Sequence, residues 1–176
     1  MSSGPKRDTP PKFNGRHGHE TGHMDLKSNL PDELQLISRL MHGMHASGLK
    51  MDSRLHVAIL DDDQSVRTAL GRLLNASDMD AEAFATGVEL FSSFARKGKP
   101  DCLVLDLQMP GMNGLDVLNY LREMNLRVPT VIITAHDEPG ACEACIRAGA
   151  ALHLRKPLDA NALLAAIEKA VAITPK

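Results

Sequence analysis

From Leu55 onward, short apolar runs alternate with stretches in which apolar residues recur every three or four positions. The first pattern marks buried strands, and the second marks helices that bury one face. Strands are expected at 56–60, 80–84, 102–106, 130–134 and 151–154. Helical spacing appears in Val66-Ala69-Leu70-Leu73, Val88-Leu90-Phe91-Phe94, Leu115-Leu118-Leu121, Ala141-Cys142-Cys145-Ile146 and Leu163-Leu164-Ile167-Val171. Strict alternation of the two predicts a small, doubly wound α/β domain with a parallel sheet. In such folds the functional crevice lies at the carboxyl ends of the strands, where strand order reverses.

The chain ahead of this domain reads differently. Residues 1–29 contain Pro5, Pro10 and Pro11 and little to bury, so the segment cannot offset its ordering entropy and is expected to be disordered. From Leu30 an amphipathic stripe begins: Pro31 suits a first helical position, and Leu30, Leu34, Ile37, Met41 and Met44 share one face. Gly48 is placed to end this helix, and residues 48–54 read as a linker. Three regions follow: a tail (1–29), a short helix with linker (30–54) and the domain (55–176). The stripe either packs on the domain that follows or serves a homodimer or docking contact.

Composition narrows the setting. A net charge of −2 lacks the basic balance of a nucleic-acid footprint, and no local basic patch replaces it. Apolar runs stay far below the ~20 residues of a membrane helix, so no membrane insertion is expected. Three cysteines and no charged-then-apolar leader argue for the cytoplasm rather than a disulfide-bonded exported protein. Cys142 and Cys145 form a Cys-x-x-Cys, but inside helical spacing they read as inert packing residues. His17, His19 and His23 lack further ligands and read as part of a flexible tail.

The chemistry concentrates at strand ends. The first strand runs into Asp61-Asp62-Asp63 and the third into Asp106, so carboxylates converge at two neighbouring ends. Carboxylates sharing a pocket raise one another's pKa unless a cation intervenes. An all-oxygen donor set suits Mg²⁺ (or Mn²⁺). The fourth strand ends in Thr134, and Lys156-Pro157 follows the fifth. A nucleophile, a metal, a hydroxyl and a cation together make a phosphoryl-transfer site.

These residues, with the run Met109-Pro110-Gly111-Met112-Asn113-Gly114-Leu115-Asp116 after Asp106-Leu107-Gln108, resemble the receiver domains of two-component response regulators. The spacings agree: 44 positions from Asp62 to Asp106, 28 to Thr134 and 22 to Lys156. The likeness covers residues 55 to 173. It implies a flavodoxin-like (βα)5 fold with sheet order 2-1-3-4-5. It further implies that Asp106 accepts a phosphoryl group from a sensor histidine kinase or phosphotransfer protein. Mg²⁺ would be held by Asp61, Asp62, Asp106 and the backbone carbonyl of Gln108. Lys156 would pair with the phosphoryl group, and Thr134 would swing its hydroxyl toward it and move the neighbouring loop. Such a domain is not an enzyme beyond its own phosphorylation and dephosphorylation.

The sequence also departs from the family. Many members carry Tyr or Phe where this chain has His153, and Gln108 and His136 occupy the positions that tune phosphoryl lifetime. An imidazole at 153 introduces a group that titrates near neutrality, beside the alternative of plain steric substitution. No effector domain follows the last helix within this chain, so the expectation is a stand-alone receiver that signals by phosphorylation-dependent protein–protein contact, with no direct nucleic-acid binding. A phosphate sink or relay intermediate is the alternative. A Mg²⁺-dependent phosphohydrolase of the haloacid-dehalogenase type is a remote one, since Asp61-x-Asp63-x-Ser65 imitates its opening motif but no acidic pair follows Lys156.

Overall fold

Residues one apart on a strand point to opposite faces, and here that alternation divides the core in two. The computed structural model describes residues 32, 35–37, 54–135 and 140–174, apart from the Cys142 side chain. In chain order the elements are β1 (His56–Leu60), α1 (Gln64–Ala76), β2 (Asp80–Phe84), α2 (Gly87–Lys97), β3 (Cys102–Asp106), α3 (Gly114–Glu123), β4 (Thr130–Thr134), α4 (Ala141–Ala148), β5 (Leu152–Arg155) and α5 (Ala160–Ile173). The strands form one parallel sheet in the order β2-β1-β3-β4-β5, as expected.

Ala58, Leu60, Leu103, Leu105 and Ile132 face one way, onto Leu90, Phe91, Val117, Leu118 and Leu121 of α2 and α3. Val57, Ile59, Val104, Val131 and Ile133 face the other way, onto Leu70 and Leu74 of α1 and Leu163 and Ile167 of α5. Strands buried on both faces must be apolar throughout, and β3 and β4 are buried along their whole length. The outer strands β2 and β5 are only partly covered.

Helix starts follow from short polar side chains that satisfy otherwise unpaired backbone N–H groups. Asp63 accepts from Ser65 and Val66, Thr86 from Glu89, and Asp159 from Ala162. Asn113 and Asp116 close a reciprocal capping box on α3. One strand differs from expectation: β5 begins at Leu152 rather than Ala151. Gly149 ends α4 in the left-handed region (φ 110°), and the next two residues turn the chain back toward the sheet. Leu152 is then the first residue in register, opposite Val131.

The helical expectation ahead of the domain is met at residues 32 and 35–37. Ile37 is 8% exposed within the same cluster as Leu105 and Ile132, whereas Leu36 is 59% exposed. Ile37 is thus buried against the domain that follows. The tail 1–29, Leu30, Leu34, Met41, Met44 and residues 48–53 lie outside the described residues.

Candidate functional site

Between β1 and β3 the winding direction reverses, which opens a crevice above the ends of the two strands. Leu60 is in register with Leu105, so Asp61 and Asp106 leave the sheet side by side. Asp61 is fully buried and Asp106 is 5% exposed, whereas Asp62 is exposed. Carboxylate oxygens of Asp61, Asp62 and Asp106 lie within 4.8 Å of one another.

Every polar group of Asp61 is engaged. Its N–H donates to the Phe84 carbonyl (3.3 Å) at the end of β2. Its Oδ1 accepts from the Asp63 N–H (2.9 Å) and its Oδ2 from Lys156 Nζ (2.9 Å). Its carbonyl accepts from Arg67 Nη1 (2.7 Å). Lys156 Nζ also stands 3.3 Å from Asp106 Oδ1, so a single ammonium bridges the two buried carboxylates. Lys156 reaches this point because β5 runs beside β4, and its N–H donates to the Thr134 carbonyl (2.8 Å).

The electrostatics follow from one cation among three carboxylates. Burial holds the Asp106 carboxyl above its ordinary pKa; the ammonium of Lys156 pulls it down, and the charge of Asp61 pushes it further up. Burial alone would lower Lys156, yet its hydrogen bond to Asp61 and the charges of Asp106 and Asp61 leave it raised and firmly protonated. Asp63, capping α1, is lowered by the N–H groups of Ser65 and Val66.

These donors fit a hard divalent cation: all are oxygens, they are close-set, and one lysine does not neutralise them. Asp61, Asp62 and Asp106 would hold it.

The remaining expected residues fall in three groups. Thr134 is 1% exposed at the end of β4, beside Asp106, whose strand partner is Ile133. Gln108 is exposed, and its backbone N–H donates to the Asp106 carboxylate. His153 is half-buried on β5 opposite Ile132, so it faces the same side of the sheet as Thr134, two residues on. His136 lies outside the described residues. Cys102 and Cys145 are buried, and burial pushes the Cys102 thiol up to about 12, far from a reactive thiolate.

Two further residues shape the site, one within the 109–116 run and one outside every motif. Gly114 lies against the strand end: a Cβ there would sit 2.6 Å from the Asp106 carbonyl oxygen and 2.9 Å from Leu107 Cα. Its own N–H donates to the Leu107 carbonyl (3.0 Å). Only glycine lets α3 start so close to the Asp106 backbone. The other is Arg67. Both touch main chain, so no pairing of side chains in the sequence could reveal them.

Comparison with known proteins gives a consistent picture. The family model described as the response regulator receiver domain matches residues 57–168. The DNA-binding transcriptional regulator NtrC of Escherichia coli (strain K12) is 35% identical over 115 residues, 65% of this chain and 24% of that protein. The response regulator protein TodT of Pseudomonas putida is 33% identical over 120 residues, 68% of this chain and 52% of that protein. This chain thus spans between about a quarter and about half of those relatives' lengths. Among solved structures, FixJ-N aligns with a TM-score of 0.64 at 28% identity, covering 71% of this chain and 99% of that one. A response regulator receiver domain protein from Clostridium thermocellum aligns with a TM-score of 0.63 at 23% identity, over 67% of this chain and 94% of that one, a likeness of fold alone.

Proposed function

This chain belongs to the response regulator receiver domain family, and from that premise we propose that it accepts a phosphoryl group on Asp106 from a sensor histidine kinase or phosphotransfer protein. The observation that carries the reading is the placement of Asp106. It is buried at the end of β3, 3.3 Å from the Lys156 ammonium and within 4.8 Å of the Asp61 and Asp62 carboxylates. A carboxylate oxygen of Asp106 attacks phosphorus, the bond from phosphorus to the donor nitrogen breaks, and an acyl phosphate results. Lys156 offsets the charge that accumulates on the phosphoryl oxygens. The Gln108 N–H holds the carboxylate, and Gly114 lets α3 begin against the Asp106 backbone. Asp61, Asp62, Asp106 and the Gln108 carbonyl would hold Mg²⁺, which would supply Lewis-acid charge compensation between the carboxylates and the incoming phosphoryl group.

Thr134 is the group assigned to sense the product. A phosphoryl group adds roughly −1.5 to −2 charges and three acceptor oxygens, and the Thr134 hydroxyl is the donor at the neighbouring strand end. His153, on the same side of the sheet, occupies the position from which that movement would pass to the α4 and β5 surface. α4 exposes Ile146 (47%) and Arg147, a suitable contact for a protein partner. We assign the output to such a contact. None of the described helices is long and apolar enough to cross a membrane. The phosphohydrolase alternative gives no role to Asp106 at the end of β3, and the matched family is a signalling family, so it is set aside.

The test is incubation with acetyl phosphate and Mg²⁺ followed by a phosphate-affinity gel. The wild-type chain is expected to shift, and Asp106→Asn and chelation are each expected to abolish the shift. A shift that survives Asp106→Asn contradicts the assignment.

A further inference from the structure

Arg67 sits on the second turn of α1, where its sequence neighbours suggest only a solvated helix face. Its guanidinium instead turns back to the strand end. Nη1 donates to the Asp61 carbonyl (2.7 Å), and Nη2 donates to Gln64 Oε1 (2.5 Å). Gln64 is itself fixed, because its Nε2 donates to Thr68 Oγ1 (3.2 Å), while that hydroxyl donates to the Gln64 carbonyl (2.8 Å). The planar fork of an arginine suits such a two-point attachment, which a flexible ammonium cannot duplicate.

We infer that Arg67 is a positioning residue of the metal site: by holding the Asp61 carbonyl it fixes the peptide joining Asp61 to Asp62, and with it the direction of both carboxylates. This rests on the reading of Asp61, Asp62 and Asp106 as metal ligands. Asp61 is anchored by its side chain to Asp63 N–H and Lys156, and by its N–H to Phe84. Asp62 is exposed, and no described hydrogen bond to its side chain is among the contacts that hold the loop. Its carboxylate direction therefore depends on the peptide before it, and Arg67 grips the carbonyl of that peptide. Groups that orient metal ligands from behind typically change affinity by about 10–100-fold when removed.

The decisive comparison is the Mg²⁺ dissociation constant of the full chain, measured by titration calorimetry without any phosphodonor, for wild type, Arg67→Ala, Arg67→Lys and, as a control on the exposed side of the same helix, Arg72→Ala. Thermal melts of the metal-free proteins accompany it, so that affinity is compared only at matched folding. Arg67→Ala is expected to bind Mg²⁺ about tenfold more weakly, in line with other orienting groups. Arg67→Lys, which can retain one N–H to the Asp61 carbonyl, is expected to recover part of the loss. Arg72→Ala is expected to stay near wild type. If Arg67→Ala melts well below wild type, Arg67→Lys carries the comparison, and it is expected to bind more weakly than wild type. Wild-type affinity in whichever variant remains folded overturns the positioning role while leaving the metal site intact. Absence of Mg²⁺ binding by the wild type overturns the metal reading itself.

Discussion

Asp106 illustrates how burial and charge set one residue's chemistry. Because burial is the largest influence and raises its pKa, ionised Asp106 is less favourable in the folded chain than in the unfolded one. The sign follows. The folded-state pKa lies above the unfolded value of about 3.9, so the cost is absent below that value, grows as pH rises from it and is fully present only above the folded pKa. Asp106→Asn removes it. Metal-free Asp106→Asn is expected to melt above wild type at pH 7, with the gap narrowing toward pH 4, as followed by circular dichroism; a constant gap across that range contradicts the electrostatic origin. At this scale the acidic pair, Asp106, Thr134 and Lys156 were legible, because each follows an apolar run that ends at the same edge of the sheet. The roles of Gly114 and Arg67 were not, because each acts on a backbone atom, and main chain carries no residue-specific signal.

Elements were legible where period and capping agreed. β1 through β4 fall where the apolar runs lie, and Asp63, Asn113 and Asp159 begin their helices as short polar caps do. β5 was displaced by one residue because the turn from α4, set by the left-handed Gly149, uses Ala150 and Ala151 before pairing begins. The segment ahead of the domain is the element whose role sequence left open, since an amphipathic stripe looks alike whether it meets its own domain or another chain. Ile37 is buried among core residues, and we propose that this residue packs on its own domain. Ile37→Ala is therefore expected to lower unfolding stability by about 1–3 kcal/mol, at or below the usual range for deleted buried aliphatics. Leu36→Ala, on the exposed side, is expected to stay within about 0.5 kcal/mol. Denaturant melts check the pair, and equal effects contradict intramolecular packing.

At the scale of the molecule, the parallel order β2-β1-β3-β4-β5 brings residues far apart in sequence to one edge. Lys156 meets Asp61 across 95 positions, and only the sheet makes them neighbours. Strand alternation announced that sheet, but the signalling route proposed above, a change at Thr134 passed by His153 to the α4 surface, depends on motion that apolar periodicity does not encode. The central claim concerns the covalent fate of Asp106. After treatment with acetyl phosphate and Mg²⁺, borohydride converts an acyl phosphate of aspartate to homoserine, which peptide mass spectrometry locates. Homoserine at position 106, and its loss when Mg²⁺ is chelated, is the expected result. A folded, Mg²⁺-treated chain with homoserine at another position, or with aspartate unchanged at 106, contradicts the account.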